Sequence, residues 1–413
     1  MRRAFIRSSG FAALLAGLVA VSGCAMTAGP TPTPTASSTP TGDGILRIGT
    51  LFPTSGTFAF LGPAQTAGVN AAIREINAAG GVNGAPVEVV NRDSGDAASE
   101  KAEQSFAELV EKGVDLVIGP SSSVIAERLL AAAAEAGIPL ISPAATYPQL
   151  TALDESDVFF RTIPAYGHQG LVLAALLAER DIETVTLIYR DDDLGRSLLA
   201  AAEPAFAAAG IELTAVKVTE GADVAAVVDA IDDPDAVVLA TPDNGDQTKA
   251  FIGRLTAAEL GGERLWLTSQ NLADYSQALP AGLLRDVNGI LEGADVDDAF
   301  RALIKQEDPA VADFRYAAEA YDATILAALA AIQAGDDGGT AVAAALRAAS
   351  VDGIKCTSFG ECLDVLITQT DIDYDGVSGS ANLDENGDPV RATYGVYRYT
   401  AENKFQRTES VTG

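Results

Sequence analysis

The chain has 413 residues but one histidine, three cysteines and one tryptophan, and 27 Lys and Arg stand against 57 Asp and Glu. Each scarcity excludes a class of chemistry. A structural zinc site takes about four ligands drawn mainly from Cys and His, so a metal centre of that type is not expected. A histidine-dependent catalytic triad would have to use His168, and no Gly-x-Ser-x-Gly elbow accompanies it. The formal charge of −30 excludes a nucleic-acid partner, because phosphate affinity comes from clustered Lys and Arg. It also argues against a protein face held on anionic lipid. Hydrophobic residues nevertheless make up 48%, enough to bury real cores, and the length suits two compact units at roughly 100–200 residues each.

The ends of the chain differ from its body. Arg2, Arg3 and Arg7 precede the apolar stretch Phe11 to Val21, which is shorter than the roughly 20 residues that span a bilayer. This pattern is a secretory signal peptide, residues 1–23. It ends in Val21-Ser22-Gly23-Cys24, which resembles the lipobox of bacterial lipoproteins. That resemblance implies a lipid on the Cys24 thiol, cleavage before it, an acyl chain such as palmitate on the new amine, and a membrane anchor on the extracytoplasmic side. An ordinary signal with an incidental cysteine is the alternative. The Arg2-Arg3 pair also resembles a twin-arginine signal, and Sec export remains open beside it. Residues 24–44 alternate proline with threonine and cannot bury a core, so they form an extended tether. Cys356 and Cys362 remain; in an exported, oxidising setting a local disulfide is the natural pairing, with two free buried thiols as the alternative.

From Leu46 onward, short β-branched runs alternate with Ala-rich helical runs. Leu46–Leu51, Val87–Val90, Asp115–Ile118 and Pro139–Ile141 read as strands, separated by helices over Ala64–Ala79, Ala97–Glu111 and Val124–Ala136. The series repeats after Pro164, with strands at Thr184–Tyr189, Ile211–Val218, Ala236–Ala240 and Leu265–Thr268. Such alternation means right-handed βαβ units and parallel sheets covered on both faces, so the fold class is α/β with two doubly wound lobes. Phe314–Ala334 and Thr340–Ala349 read as further helices. The tail, with Asn386-Gly387 and the aromatic run Tyr394–Tyr399, reads as an antiparallel edge on one lobe.

Ligands of open α/β sheets sit beyond the carboxyl ends of the strands. Those loops hold Ser121, Ser122, Ser123, Thr146, the run Asp191 to Asp193, Asp243 and Gln270. Hydroxyls just before a helix start, where backbone N–H groups also point outward, suit a carboxylate; Ser123 and Asp193 also read as helix N-caps. Asp371, Asp373, Asp375 and Gly376 have the opening spacing of a calcium loop, but its twelfth position is Asn382 instead of the bidentate Glu such a loop needs. No metal is expected there.

Several stretches together resemble the type I periplasmic binding proteins, the leucine/isoleucine/valine-binding receptors of branched-chain amino acid ABC importers. They are Ile48-Gly49-Thr50-Leu51, the run Ala72 to Gly84, Val117-Ile118-Gly119-Pro120-Ser121-Ser122-Ser123, Ile138 to Thr146, Phe160-Arg161-Thr162, Tyr374 to Gly379, and Asn386-Gly387-Asp388. The resemblance implies two lobes joined by a three-crossover hinge, with 45–164 and 293–372 in lobe I and 165–292 and 373–413 in lobe II. It implies closure over a small ligand, no enzymatic activity, no cofactor, a monomer, and an ABC permease as partner. It assigns the ligand carboxylate to Ser123, Ala144 and Thr146, with Ser121, Ser122 and Ala145 alongside. In that pattern an aromatic residue of the first loop is Leu61 here, the tyrosine after the Asp-rich loop is Leu194, and the acid that meets an ammonium is Gln270. Asp191 to Asp193 and Asp243 would serve a cation if they face inward, and are solvated otherwise. The ligand class therefore spans an amino acid, an amide or a related carboxylate. Two alternatives stand beside an importer's receptor: a ligand sensor on the same fold, and an exported hydrolase.

Overall fold

The computed structural model describes residues 42–368 and 370–413; the signal peptide, Cys24 and nearly all of the tether lie outside them. The strand–helix alternation forms two mainly parallel sheets. The first runs β2-β1-β3-β4-β5, from β1 (Arg47–Phe52), β2 (Glu88–Asp93), β3 (Leu116–Ile118), β4 (Leu140–Ser142) and β5 (Phe159–Arg161), all parallel. Helix α1 (Gly62–Ala78) packs on one face, and α2 (Lys101–Glu111) and α3 (Ser123–Ala136) on the other. The short α4 (Gln149–Leu153) follows β4.

The chain crosses over at 162–164 and builds a second sheet. Its parallel strands are β6 (Thr184–Arg190), β7 (Glu212–Val218), β8 (Ala236–Ala240), β9 (Leu265–Leu267) and β10 (Asn288–Glu292). Helices α5 (Gln169–Ala178) and α6 (Asp193–Ala209) cover one face, and α7 (Val224–Asp229) and α8 (Asp246–Ala257) the other. Burial on both faces explains why strands such as Thr184–Arg190 are buried at every central position instead of alternating. Among the described residues, no helix is long and apolar enough to cross a membrane.

The chain then returns to the first lobe with α9 (Asp298–Glu307), α10 (Ala317–Ala334), α11 (Gly339–Leu346), α12 (Phe359–Ile367) and a small sheet of β11 (Ile354–Cys356), β12 (Ile372–Gly376) and β13 (Gly379–Ser380). A disulfide joins Cys356 to Cys362 inside this core. Lys355 settles the acidic run: its ammonium lies 2.9 Å from Asp373 and 2.7 Å from Asp375, so a resident side chain supplies the positive charge.

The expected boundary at 372/373 needs correction. β12 pairs with β11, Leu383 packs in the first lobe's core, and Asp388 pairs with Arg161 of β5, whereas Ala392 belongs to the core of the second sheet. The third crossing therefore falls between Asp388 and Ala392. Asn386-Gly387 is also displaced from its expected role: the Gly387 carbonyl accepts from the Arg161 N–H, so this turn closes on the edge of the first sheet. The antiparallel edge on the second sheet is instead β14 (Thr393–Tyr399) with β15 (Phe405–Thr412), turning at Asn403 with φ 56°. Helix α10 also starts later than expected, because Tyr316 at its N-cap adopts a left-handed φ of 61°.

Helix α10 is buried on all sides from Ala317 to Ala331. Its alanines let α1 come close: a Cβ on Gly68 would stand 2.3 Å from the Ala317 carbonyl oxygen. Two acids in this helix hold the crossovers. The Glu319 side chain accepts from the Ala294 N–H at 2.7 Å, while its backbone carbonyl accepts from the Thr162 hydroxyl at 2.8 Å. Asp322 accepts from the Tyr374 hydroxyl, the Val377 N–H, and the N–H and hydroxyl of Ser378.

Burial raises the Glu319 carboxyl from its ordinary 4.5 to about 7, against the opposing Ala294 bond and with a further push from Asp322. The folded state then binds more protons than the unfolded chain between those values. The contribution of Glu319 to stability is greatest below pH 4.5 and is lost as pH rises through 7. Thermal melts from pH 4.5 to 8 should show Glu319→Gln flattening this decline and gaining roughly 2–4 °C at the alkaline end per kcal/mol recovered. Asp115, also raised to about 7 by burial, leaves a residual slope.

Candidate functional site

The carboxyl ends of both sheets face one cleft of about 360 Å³, within the range of pockets for small molecules. Leu61, Ser121, Ser122, Ser123, Ala144 and Thr146 line its first wall, and Gln270 lines the second. Three expected positions are elsewhere. Ala145 is fully buried behind the loop. Leu194, in the first turn of α6, is part of the second sheet's core. Asp243 folds back on the Gly245 N–H at 2.8 Å, an Asx-type turn ahead of α8 that does not line the cleft.

The first wall is braced from behind. Gly119, with φ 116°, lets the chain turn past β1, where a Cβ would meet the Leu51 carbonyl oxygen at 2.6 Å. The Ser121 hydroxyl then donates to Gln65 of α1 at 2.7 Å. Ser122, and not Ser123, caps α3, accepting from the Ile125 N–H. Ser123 accepts from the backbone N–H groups of Thr146 and Tyr147 at 3.0 and 3.2 Å, tying the two loops together. Ser142 donates to the Pro120 carbonyl and accepts from the Ala145 N–H, repeating the tie one layer down.

Arg161 completes the brace. Fully buried, it donates to the carbonyls of Ala145 and Tyr147 at 3.2 and 3.0 Å and pairs with Asp388 at 2.5 Å. Asp93 organises the β1–α1 loop in the same way, accepting from Thr54, Ser55 and Gly95; these bonds outweigh a burial penalty and hold its carboxyl at about 2.

Other lining residues were not singled out in the sequence. Phe58 and Phe60, 54% and 48% exposed, stand at the first rim, with the Arg315 guanidinium 5.0 Å over the Phe60 ring. Arg315 is itself engaged by Asp313 at 3.0 Å. Tyr147, Ser269, Tyr316 and Glu292 also line the cleft. Glu292 is the main omission: a reading confined to loops passes over the last residue of a strand. The available signal was an acid closing the apolar run Gly289-Ile290-Leu291. The Asp-rich loop contributes a helix cap and surface pairs: Asp192 caps α6, and Asp191 and Asp193 pair with Arg196. His168 is away from the cleft, partly buried and stacked on Tyr394 at 6.0 Å.

A family described as periplasmic binding protein matches residues 45–365. The chain is similar to a chemotactic signal transduction system substrate-binding protein of Halobacterium salinarum, 29% identical over 367 residues, covering 84% of this chain and 85% of that one. Its fold resembles that of an ABC transporter substrate-binding protein from Desulfitobacterium hafniense in complex with Leu, with a TM-score of 0.64 and 22% identity over 88% of this chain and all of that one. It also resembles a solute-binding protein of R. palustris in complex with benzoate, with a TM-score of 0.57 and 22% identity over 89% and 96% of the two chains.

Removing the Arg161 side chain should leave the Asp388 carboxylate uncompensated and the cleft loop unsupported. Arg161→Ala is expected to cost about 3–5 kcal/mol, measured as a lower denaturant midpoint with an unaltered slope.

Proposed function

The chain belongs to the periplasmic binding protein family, which makes it a solute-binding protein and not an enzyme, and from this premise we propose that it captures a small carboxylate and delivers it to an ABC importer. The observation that carries this reading is the first wall of the cleft: the hydroxyls of Ser123 and Thr146 beside the N-terminal end of the 14-residue helix α3. Hydroxyl donors and unpaired helix N–H groups together form a neutral receptor for a carboxylate. The ligands of the two similar structures, leucine and benzoate, share that group. Closure of the second wall over the ligand would bury it, and differential contacts in the closed form would drive the motion. The signal ending at Cys24 and the tether to residue 44 support anchoring by lipid on the outer face of the cell membrane.

A second reading has its own support. The relative of H. salinarum, matched over most of both chains, is named for chemotactic signalling. In this reading the loaded form docks on a signalling receptor in place of a permease. Deleting the gene separates the two: loss of ligand uptake supports the importer, whereas loss of taxis with uptake retained supports the sensor.

A thermal-shift screen of amino acids, amides and aromatic carboxylates tests the capture itself. A ligand at a hundred times its Kd stabilises the folded form by about 2.7 kcal/mol, so a true ligand should raise Tm by several degrees. Thr146→Val is the cleaner probe of the carboxylate contact, because Ser123 also braces the Thr146–Tyr147 backbone and its loss would disturb the wall. Calorimetry should find affinity for a carboxylate hit lowered roughly ten- to a hundredfold in Thr146→Val. Parental affinity would remove Thr146 from the site.

A further inference from the structure

The wall facing the hydroxyls carries one acid. Glu292 ends β10, lines the cleft and is 5% exposed. Its Oε2 is buried and has no hydrogen-bond partner among the described residues. Gln270, where the resemblance locates the acid, lines the same cleft as a neutral amide. Arg315 is the cation of that lining, and Asp313 already engages it. Burial pushes the Glu292 carboxyl up, and a hydrogen bond from the Ser269 side chain opposes that push; the phenols of Tyr166, Tyr316 and Tyr394 lie in its field, and none of these groups carries positive charge. A buried carboxylate oxygen left open is costly, and the cost is relieved by a donor, most fully by a charged one.

We propose that Glu292 is the specificity-determining acid of this cleft: it accepts an ammonium on the ligand whose carboxylate meets the wall of Ser123 and Thr146, so the preferred ligand is an amino-bearing carboxylate. The inference rests on the carboxylate reading above and deepens it. Charge recognition has moved from the loop after β9 to the end of β10, one strand over in the same sheet. The two walls then present donors on one side and an acceptor on the other, a polarity that matches a zwitterion. A plain carboxylate would leave Oε2 unmet, and a buried acceptor without a partner discriminates strongly against the analogue that lacks the donor.

The test compares matched pairs. The standard α-amino acids, β-alanine and 4-aminobutanoate are screened by thermal shift against their deaminated analogues, with benzoate and 4-hydroxybenzoate alongside. Calorimetry on the best pair then compares the parent with Glu292→Gln. The parent should prefer the amino-bearing member by about 30-fold or more, and Glu292→Gln should collapse that ratio towards unity. The parent's preference is informative even if the variant does not fold. Equal binding of both members, a preference for the deaminated member or for a benzoate, or a ratio that survives in Glu292→Gln would overturn the assignment and leave the carboxylate reading intact. If no carboxylate of either series binds, the carboxylate reading fails and takes this inference with it.

Discussion

The arrangement of the molecule depends on two buried carboxylates of one helix. Glu319 and Asp322 lie one turn apart on α10, and segments at all three crossovers bond to these two residues: Thr162 to the Glu319 backbone carbonyl and Ala294 to its side chain at the first two, and Val377 and Ser378, which lead to the third, to the Asp322 side chain. The Thr393 hydroxyl donates in turn to the Ser378 carbonyl, which carries the tie on to β14. Helix α10 can hold acids at these positions because every bond they accept comes from a segment that must be fixed anyway. The rest of its buried surface is alanine and leucine packed against α1. Several donors converge on the Asp322 side chain and offset its burial, whereas the Glu319 carboxyl meets the Ala294 N–H and is held up at about 7. The same bonds bring the carboxyl edges of the two sheets opposite one another, which creates the cleft.

The two walls of that cleft are built differently. The first is tied by repeated side-chain to backbone bonds of Ser123, Ser142, Arg161 and Asp93, with Ser121 held on the Gln65 side chain, so its donors are aimed before a ligand arrives. Such pre-organisation lowers the ordering cost of binding. The second wall contributes fewer polar groups, and one of them has a buried oxygen without a partner. Tyr316 lies at the junction in a left-handed conformation at φ 61°, costly for a bulky side chain and typical of positions that surrounding structure holds for a purpose. A rigid wall that reads a common group, facing a sparser wall that reads a variable one, fits a fold used for many ligands.

The α/β class and the strand order of events were legible in the sequence, because continuous apolar runs between amphipathic helices have few other readings. The hydroxyl wall was legible too, since it lies in loops at strand ends. Three features were not. The tail misled because Asn386-Gly387 is a strong turn signal that says nothing about which sheet it serves; its destination depends on Arg161, more than two hundred residues earlier in the chain, a pairing no local pattern encodes. Leu194 looked like a site position through the family resemblance and Asp243 because it follows a strand, but one turn of helix pointed the first into the core and an Asx turn pulled the second back on its own loop. Glu292 was missed because a strand residue is assigned to core or solvent by alternation, and the last residue of a strand escapes that rule.

The overall charge bears on what such a cleft can hold. At −30 the molecule repels a free anion at long range, although at physiological ionic strength the Debye length of about 8 Å confines that repulsion to the neighbourhood of the surface. Arg315, the cation that lines the cleft, is held by Asp313. Recognition of a carboxylate then falls to short-range donors, hydroxyls and helix N–H groups that carry no net charge. For a ligand with one negative charge, the Glu292 carboxylate adds to the repulsion inside the low-dielectric cleft, where it is strongest. A zwitterion has no net charge to be turned away at the surface, and inside it brings a cation to Glu292 as its carboxylate reaches the hydroxyl wall. The molecule's acidity and the one unpaired acid of its cleft therefore select in the same direction.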